Sequence, residues 1–346
     1  MQLARLTTLR LGGAARFFCE AHSIECLQSG MRWAREQNLP LFILGGGSNI
    51  VVSDSGFRGL VLRVAVKGIR ISVSGEWATV TAGAGEEWDD LVALCVASRL
   101  AGVECLSGIP GSVGATPIQN VGAYGQEISE TMLKLSAIDL ATGEAVEISR
   151  DQCQFGYRTS RFKGQDRNRF IITEVEYRLR VNGKPRIRYS ELERYFAERE
   201  ISSPSLTETR EAVIAIRRRK AMVIDATDTD SRSVGSFFVN PVVAPGEFEE
   251  IKRRASRFVS DTEKMPAFPA GDQVKLSAAW LIEHAGFEKG YAHGNVGISR
   301  KHALAIINCG GGTAREVLDL AEEIKSRVRD RFGVALDVEP VFVGFD

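Results

Sequence analysis

The chain has 346 residues, and its 44 Lys plus Arg equal its 44 Asp plus Glu, giving a formal net charge of zero. That balance leaves no electrostatic footprint of nucleic acid or an anionic membrane, and no apolar run reaches transmembrane or signal-peptide length, so a cytoplasmic protein is expected. Six cysteines lack C-x-x-C pairs and four histidines lack metal-ligand spacing, which predicts buried reduced thiols and no metal. The length predicts two or three domains.

In chain order, residues 8–18 read as extended with a kink at Gly12-Gly13. Residues 23–38 predict a helix with Ser23 as N-cap and Cys26, Leu27, Met31 and Ala34 facing inward. Residues 41–44 predict a buried strand that runs directly into Gly45-Gly46-Gly47-Ser48-Asn49. A Rossmann fingerprint would continue as a helix. Here β-branched runs at 50–52 and 59–64 predict strands, so a phosphate would rest on loop amides with no helix dipole behind it. Strands follow at 69–73 and 77–82. The Gly83-Ala84-Gly85 turn then opens a helix from about 86 to 100, with Leu91, Leu94, Cys95 and Ala97 expected inside and Trp88 expected in the core.

Residues 107–125 dominate the pattern. Five glycines (Gly108, Gly111, Gly114, Gly122, Gly125) and two prolines (Pro110, Pro117) forbid regular structure there. The remaining N–H groups, with Ser112, Thr116, Gln119 and Asn120, suit a concave surface for phosphate. Together with the 45–49 loop and the 83–85 turn, this predicts a large cofactor containing a diphosphate. Strands are expected at 133–140, 145–148 and 170–180.

The turn at Asn182-Gly183-Lys184-Pro185 marks a domain boundary. Beyond it, a capping box at Ser190 and Glu193 predicts one helix, with Tyr189 just outside. A second helix is expected over 207–220, with Val213, Ile214 and Ile216 apolar. Its closing run, Arg217 to Lys220, suits helix termination. Helices near 246–258 and 275–285 flank a proline loop at 265–271. The 313–332 segment carries a Thr313/Glu316 capping box, an apolar stripe and a Gly333 stop. A closing strand over 334–343 holds Glu339.

Taken jointly, Gly45–Asn49, Gly108–Gly114, Gln119–Gly125, residues 157–162, the Gly235-Ser236-Phe237-Phe238-Val239-Asn240-Pro241 segment and Glu339 resemble the UDP-N-acetylenolpyruvoylglucosamine reductase family, in its longer type I branch. The resemblance implies an α+β chain. It would carry an FAD-binding fold of the vanillyl-alcohol-oxidase/p-cresol-methylhydroxylase type over 1–182 (subdomains about 1–66 and 67–182) and a substrate-binding domain over 183–346. It implies non-covalent FAD, NADPH as hydride donor, and UDP-N-acetylglucosamine enolpyruvate as the substrate reduced for peptidoglycan synthesis. The expected form is a monomer with no nucleic-acid or membrane partner. By resemblance the catalytic residues are Arg158, Ser236 and Glu339. FAD contacts fall to Gly45, Gly46, Gly47, Ser48, Asn49, Gly108, Ile109, Pro110, Gly111, Ser112, Gly114, Ala115, Gln119, Asn120, Gly122, Ala123, Tyr124 and Arg158. Substrate contacts fall to Tyr157, Tyr189, Lys220, Asn240 and Lys275.

The chain departs from the family pattern in three places. Val239 stands where many members carry lysine, Ala279 replaces a glycine before Trp280, and the Asp337-Val338-Glu339-Pro340 order differs, leaving Asp337 as the fallback carboxylate. Two rivals stand beside this reading. One is an oxidase on the same flavin fold, although no histidine between His22 and His284 is available to tether flavin. The other is a non-catalytic flavin- or nucleotide-binding regulator, which would be expected to lose Arg158, Ser236 or Glu339.

Overall fold

A computed structural model of the chain describes residues 1–259 and 265–345. The chain divides into two compact units. The first comprises Met1, 15–47 and 57–223, and the second comprises 2–14, 48–56 and 224–346. The boundary therefore lies at Val223/Ile224, past the Asn182–Pro185 turn at which the sequence places a domain end. Residues 183–223 pack with the first unit because Leu192, Phe196, Ala212, Val213 and Ile216 form a buried cluster with Cys105 and Tyr124.

The first unit contains two main sheets and a two-stranded ribbon of Gly122–Ala123 with Gln126–Glu127. Strand Phe57–Val64 runs parallel between Ala15–Ala21 and Leu41–Leu44. Beside this sheet runs helix α1 (Ile24–Glu36), whose Ser23 hydroxyl accepts the Cys26 N–H. The second sheet is antiparallel, in the order Ala145–Ser149, Met132–Asp139, Phe170–Val181, Trp77–Gly83 and Ile69–Ser74. Helix α2 (Trp88–Ala97) buries Trp88, Leu91, Val92, Cys95 and Val96. The face expected from Leu91, Leu94, Cys95 and Ala97 is thus corrected by part of a turn: Leu94 is exposed, and the i, i+3, i+4, i+7, i+8 stripe begins at Trp88. Trp88 is a core residue, and its indole N–H donates to the Leu106 carbonyl at 3.1 Å.

Helix α3 (Ser190–Ala197) starts without the expected box: Tyr189 occupies the N-cap position with no side-chain cap. The capping box belongs instead to helix α4 (Leu206–Arg219), where the Ser205 hydroxyl accepts the Glu208 N–H and the Glu208 carboxylate accepts the Ser205 N–H.

The second unit has its own core, in which Phe237, Leu276, Ala278, Leu281, Ile282, Phe287 and the inner faces of its helices meet. Helices α5 (Pro245–Ala255), α6 (Ala278–His284) and α7 (Ala314–Phe332) build it. Helix α7 has both halves of the Thr313/Glu316 capping box and ends at Gly333 with φ of 77°. The expected proline loop forms a hairpin, Ala267–Ala270 with Gln273–Leu276. Pro269 is tolerated because its strand lies at the sheet edge, where no ladder N–H is needed. The closing strand is shorter than expected. Val341–Val343 is the strand, parallel to Ile50–Val52; Glu339 precedes it, and Val338 makes an isolated antiparallel bridge with Phe238. Cys95, Cys105 and Cys153 are buried as expected, whereas Cys309 is exposed.

Ser205→Ala is expected to cost about 1 kcal/mol of stability, as is usual for a lost N-cap, whereas Ser190→Ala should stay within about 0.5 kcal/mol. Denaturant melts of the two variants against the parent chain check this.

Candidate active site

Within the first unit, the Gly45–Gly47 and 107–116 loops approach so closely that side chains are excluded. A Cβ at Gly46 would sit 2.6 Å from the Gly111 Cα, one at Gly45 would sit 2.8 Å from the Ser112 Oγ, and one at Gly114 would sit 2.6 Å from the Ala84 Cβ. Gly108 and Gly111 also have positive φ, 70° and 121°. The second loop is fastened along its length to the start of α2. The Trp88 N–H donates to the Gly111 carbonyl, the Val113 N–H to the Glu86 carbonyl, and the Gly114 N–H to the Ala84 carbonyl. Asp89, in the first turn of α2, accepts the Gly108 N–H at 2.6 Å and receives both arms of Arg210 at 2.6 and 2.9 Å. Burial pushes the Asp89 carboxyl up, but the Arg210 and Gly108 hydrogen bonds outweigh it and hold the group below the usual carboxylate range.

Three expected site residues carry left-handed backbones: Asn120, Tyr124 and Arg158, with φ of 48°, 48° and 53°. For residues with a Cβ this costs on the order of 1–2 kcal/mol each, so surrounding bonds must hold them. The Asn120 side chain is wholly engaged inside the protein. Its amide donates to Glu127 (2.8 Å) and to the Gly156 carbonyl (3.1 Å), and its oxygen accepts the Ser129 N–H (3.0 Å). Asn120 therefore shapes the loop with its side chain. Arg158 Nη2 donates to the Gly122 carbonyl at 2.7 Å, and its guanidinium stands 5.6 Å from the Tyr157 ring centre.

Tyr124 meets Tyr189 edge-on at 5.3 Å. Lys220 lies 5.9 Å from the Tyr124 ring centre and pairs with Glu191 at 2.5 Å. Burial, with Glu191 and Tyr157, raises the Tyr189 hydroxyl above its usual pKa. The first unit thus carries Tyr157, Arg158, Tyr189 and Lys220 along with the glycine loops.

Ser48 and Asn49 belong to the second unit. There the Asn49 amide donates to the Glu339 carbonyl at 3.3 Å, and the Val341 N–H donates to the Asn49 carbonyl. Ser236 lies between Gly235, with φ of 79°, and the buried Phe237 and Phe238. The Glu339 N–H donates to the Phe237 carbonyl and the Val239 N–H to the Asp337 carbonyl, so the Ser236 and Glu339 segments run side by side. Asn240 accepts the Ala278 N–H at 2.9 Å and so caps the start of α6. Lys275 stands on the central strand of its small sheet, opposite Val242 and Phe268.

Sequence reading misses Arg217. In the pattern it belongs to a basic helix end, yet it lies four residues after Val213, on the buried stripe of α4. Its Nε is enclosed without a hydrogen-bond partner, 3.4 Å from where a Gly108 Cβ would stand, while Nη2 donates to the Met222 carbonyl. An enclosed cationic donor beside a glycine loop fits an anionic cofactor group. Asp89 and Arg210 also escape the sequence, because nothing in their spacing links positions 121 residues apart.

Residues 15–149 match the FAD binding domain family, and residues 227–343 match the family described as UDP-N-acetylenolpyruvoylglucosamine reductase, C-terminal domain. The family matches therefore define an FAD-dependent oxidoreductase. The chain is 46% identical over 345 residues to the UDP-N-acetylenolpyruvoylglucosamine reductase of Thermobifida fusca, covering 99% of this chain and 96% of that one. It is 45% identical to the protein of that name from Streptomyces coelicolor, covering 99% and 89%. A solved UDP-N-acetylenolpyruvylglucosamine reductase from Thermus caldophilus shares the fold, with a TM-score of 0.66 and 24% identity over 99% of this chain and 97% of that one. The chain belongs to the UDP-N-acetylenolpyruvoylglucosamine reductase family.

Arg158→Gly should be more stable than Arg158→Ala by about 1 kcal/mol, since only glycine relieves the left-handed backbone once the Gly122 contact is lost. Thermal melts of the two variants decide it.

Proposed function

We propose that this chain reduces UDP-N-acetylglucosamine enolpyruvate to UDP-N-acetylmuramate for peptidoglycan precursor synthesis, with NADPH as the electron source. The observation that carries the reading is the 46% identity spanning 99% of the chain and 96% of a reductase of that name. Bound FAD would accept hydride from NADPH and pass it to the enol ether of the second substrate. Both substrates are small molecules. The proposal includes a cytoplasmic monomer; among the described residues no helix is long and apolar enough to cross a membrane.

The cofactor would lie on Gly45–Asn49, Gly108–Ser112, Gly114, Ala115, Gln119, Asn120, Gly122–Tyr124 and Arg158, with Arg217 as an added cationic donor. The FAD family match over 15–149 supports assigning the cofactor to residues 1–182, and the C-terminal family match over 227–343 supports assigning substrate to the later part of the chain. Residues 183–223, which include Tyr189 and Lys220, pack with the first unit.

Reducing a carbon beside a carboxylate builds negative charge on that carboxylate, and preorganised cations and donors stabilise it best. Arg158 is assigned that role. Its side chain is already oriented by the 2.7 Å bond to the Gly122 carbonyl. Ser236 is assigned the proton delivery at the neighbouring carbon. A serine hydroxyl is a weak acid and works only when held in place, which the flanking Gly235 turn and the two buried phenylalanines provide. Glu339 is assigned as the assisting carboxylate. Its backbone bond to Phe237 keeps it beside the Ser236 segment, while the fallback Asp337 is exposed. Tyr157, Tyr189, Lys220, Asn240 and Lys275 are assigned to the UDP-bearing substrate.

Ser236→Ala should leave reduction of the flavin by NADPH near normal and slow its reoxidation by UDP-N-acetylglucosamine enolpyruvate by about 10²- to 10⁴-fold. Anaerobic absorbance traces separate the two half-reactions. A flavin that bleaches with NADPH and recovers only with oxygen would favour an oxidase, and normal reoxidation in the variant would overturn the assignment of Ser236.

A further inference from the structure

The segment leading to Lys220 and the loop expected to hold the flavin are joined by one ion pair. Asp89 lies on α2 and Arg210 on α4, and the Gly108 N–H donates to the same Asp89 oxygen that Arg210 Nη1 reaches. The second Asp89 oxygen takes Arg210 Nη2, so the carboxylate is held in a bidentate grip that leaves its orientation little freedom. Arg210 is mostly enclosed, with 18% of its side chain exposed, and Asp89 is about one-third exposed at 36%, so the pair is shielded more than a surface pair would be.

The peptide that Asp89 holds is a sensitive one. Gly108 has φ of 70°, and its Cα faces Val223 and the unpartnered Arg217 Nε. Rotation of the 107–108 peptide would disturb the Gly108–Gly111 turn, whose far end is held by the Trp88–Gly111 backbone bond. Asp90, in the same helical turn, offers an internal comparison. It is exposed and also a carboxylate in the first turn, so any helix-dipole contribution is shared, whereas the Gly108 and Arg210 contacts belong to Asp89.

We propose that Asp89 is a positioning residue for FAD: clamped by Arg210, it fixes the Gly108 peptide and so sets the shape of the flavin loop, making α4 part of the cofactor site. The inference rests on the assignment of residues 107–125 to flavin binding. Asp89 itself need not touch the cofactor. The same grip ties the position of α4, and with it the start of the Lys220 segment, to the loop.

The test is titration of the full-length, flavin-stripped chain with FAD, following quenching of FAD fluorescence, with the melting temperature of each apoprotein and the visible circular dichroism of the reconstituted flavin as companion readouts. Asp89→Ala should raise the Kd for FAD about tenfold. Asp89→Asn, which keeps an acceptor for Gly108, and Arg210→Ala should each raise it by a smaller factor of about three. The Asp89→Asn/Arg210→Ala double variant should match the weaker single variant and not the product of the two. Arg210→Lys should restore part of the loss, and Asp90→Asn should bind as the parent does. Should Asp89→Ala fail to fold, Asp89→Asn and Arg210→Lys carry the test, since both keep the shape of the site. Failure of the parent apoprotein to bind FAD would overturn the flavin assignment itself. Parent binding with unchanged Kd and flavin dichroism in the Asp89 and Arg210 variants, whatever their melting temperatures, would overturn the positioning role alone. A multiplicative double variant would show that Arg210 does not act through Asp89 and would overturn the clamp.

Discussion

The close approach of two backbones, at Gly45–Gly46 and Gly111–Ser112, sets the terms for the rest of the first unit. A methyl group at Gly46 would stand 2.6 Å from the Gly111 Cα, well inside any tolerable contact. With no side chains to wedge apart, the loops can meet only if their own polar groups are satisfied elsewhere. The start of α2 and the residues just before it meet that need, bonding residues 108, 111, 113 and 114 in succession. Burial of Trp88 anchors this helix end, and its indole N–H takes the Leu106 carbonyl, so the same residue fixes both the core and the loop. Arg217, enclosed beside Gly108, leaves its Nε donor unpaired.

A second consequence is local strain at chosen places. Asn120, Tyr124 and Arg158 adopt a backbone conformation that glycine would take more readily. In each case neighbouring contacts hold the geometry: three hydrogen bonds at Asn120, the edge-on contact with Tyr189 at Tyr124, and the Gly122 carbonyl at Arg158. Eight other described non-glycine residues, Arg10 and Ala221 among them, share this conformation, so the strain is not confined to the expected site; at these three positions a side chain fixed beforehand loses less freedom when a ligand arrives.

The second unit solves a different problem. It must hold two short polar segments, around Ser236 and Glu339, without long strands. The Phe237 and Phe238 side chains are buried and the backbone between 237–239 and 337–339 is laddered, so the two segments move as one. The unit also takes residues 2–14 and 48–56 from the N-terminal part of the chain, and its Val341–Val343 strand pairs with Ile50–Val52. This explains why Ser48 and Asn49, contiguous in sequence with Gly45–Gly47, belong to the other core.

Local rules make much of this legible. Ser23, the Thr313/Glu316 box and Gly333 mark helix ends because caps depend on residues within one turn. Runs of β-branched residues mark the strands, and clustered glycines mark the 45–47 and 108–114 loops. The face of α2 is misjudged from sequence because Leu94 and Cys95 are both apolar, and only the packing around the helix decides that Leu94 faces water. Ser190 and Ser205 both precede a glutamate at the right spacing, and only the path of the chain chooses the second. The pattern puts Glu339 within a strand, but Pro340 and the three-residue pairing with Ile50–Val52 place it just before one. By itself, then, the sequence determined the elements, the glycine loops and the family, since these are written in short-range spacing and motif order. Tertiary structure alone decided the unit boundary at Val223, the bidentate grip of Arg210 on Asp89 and the enclosure of Arg217, because such pairings arise when distant segments pack and leave no period in the chain.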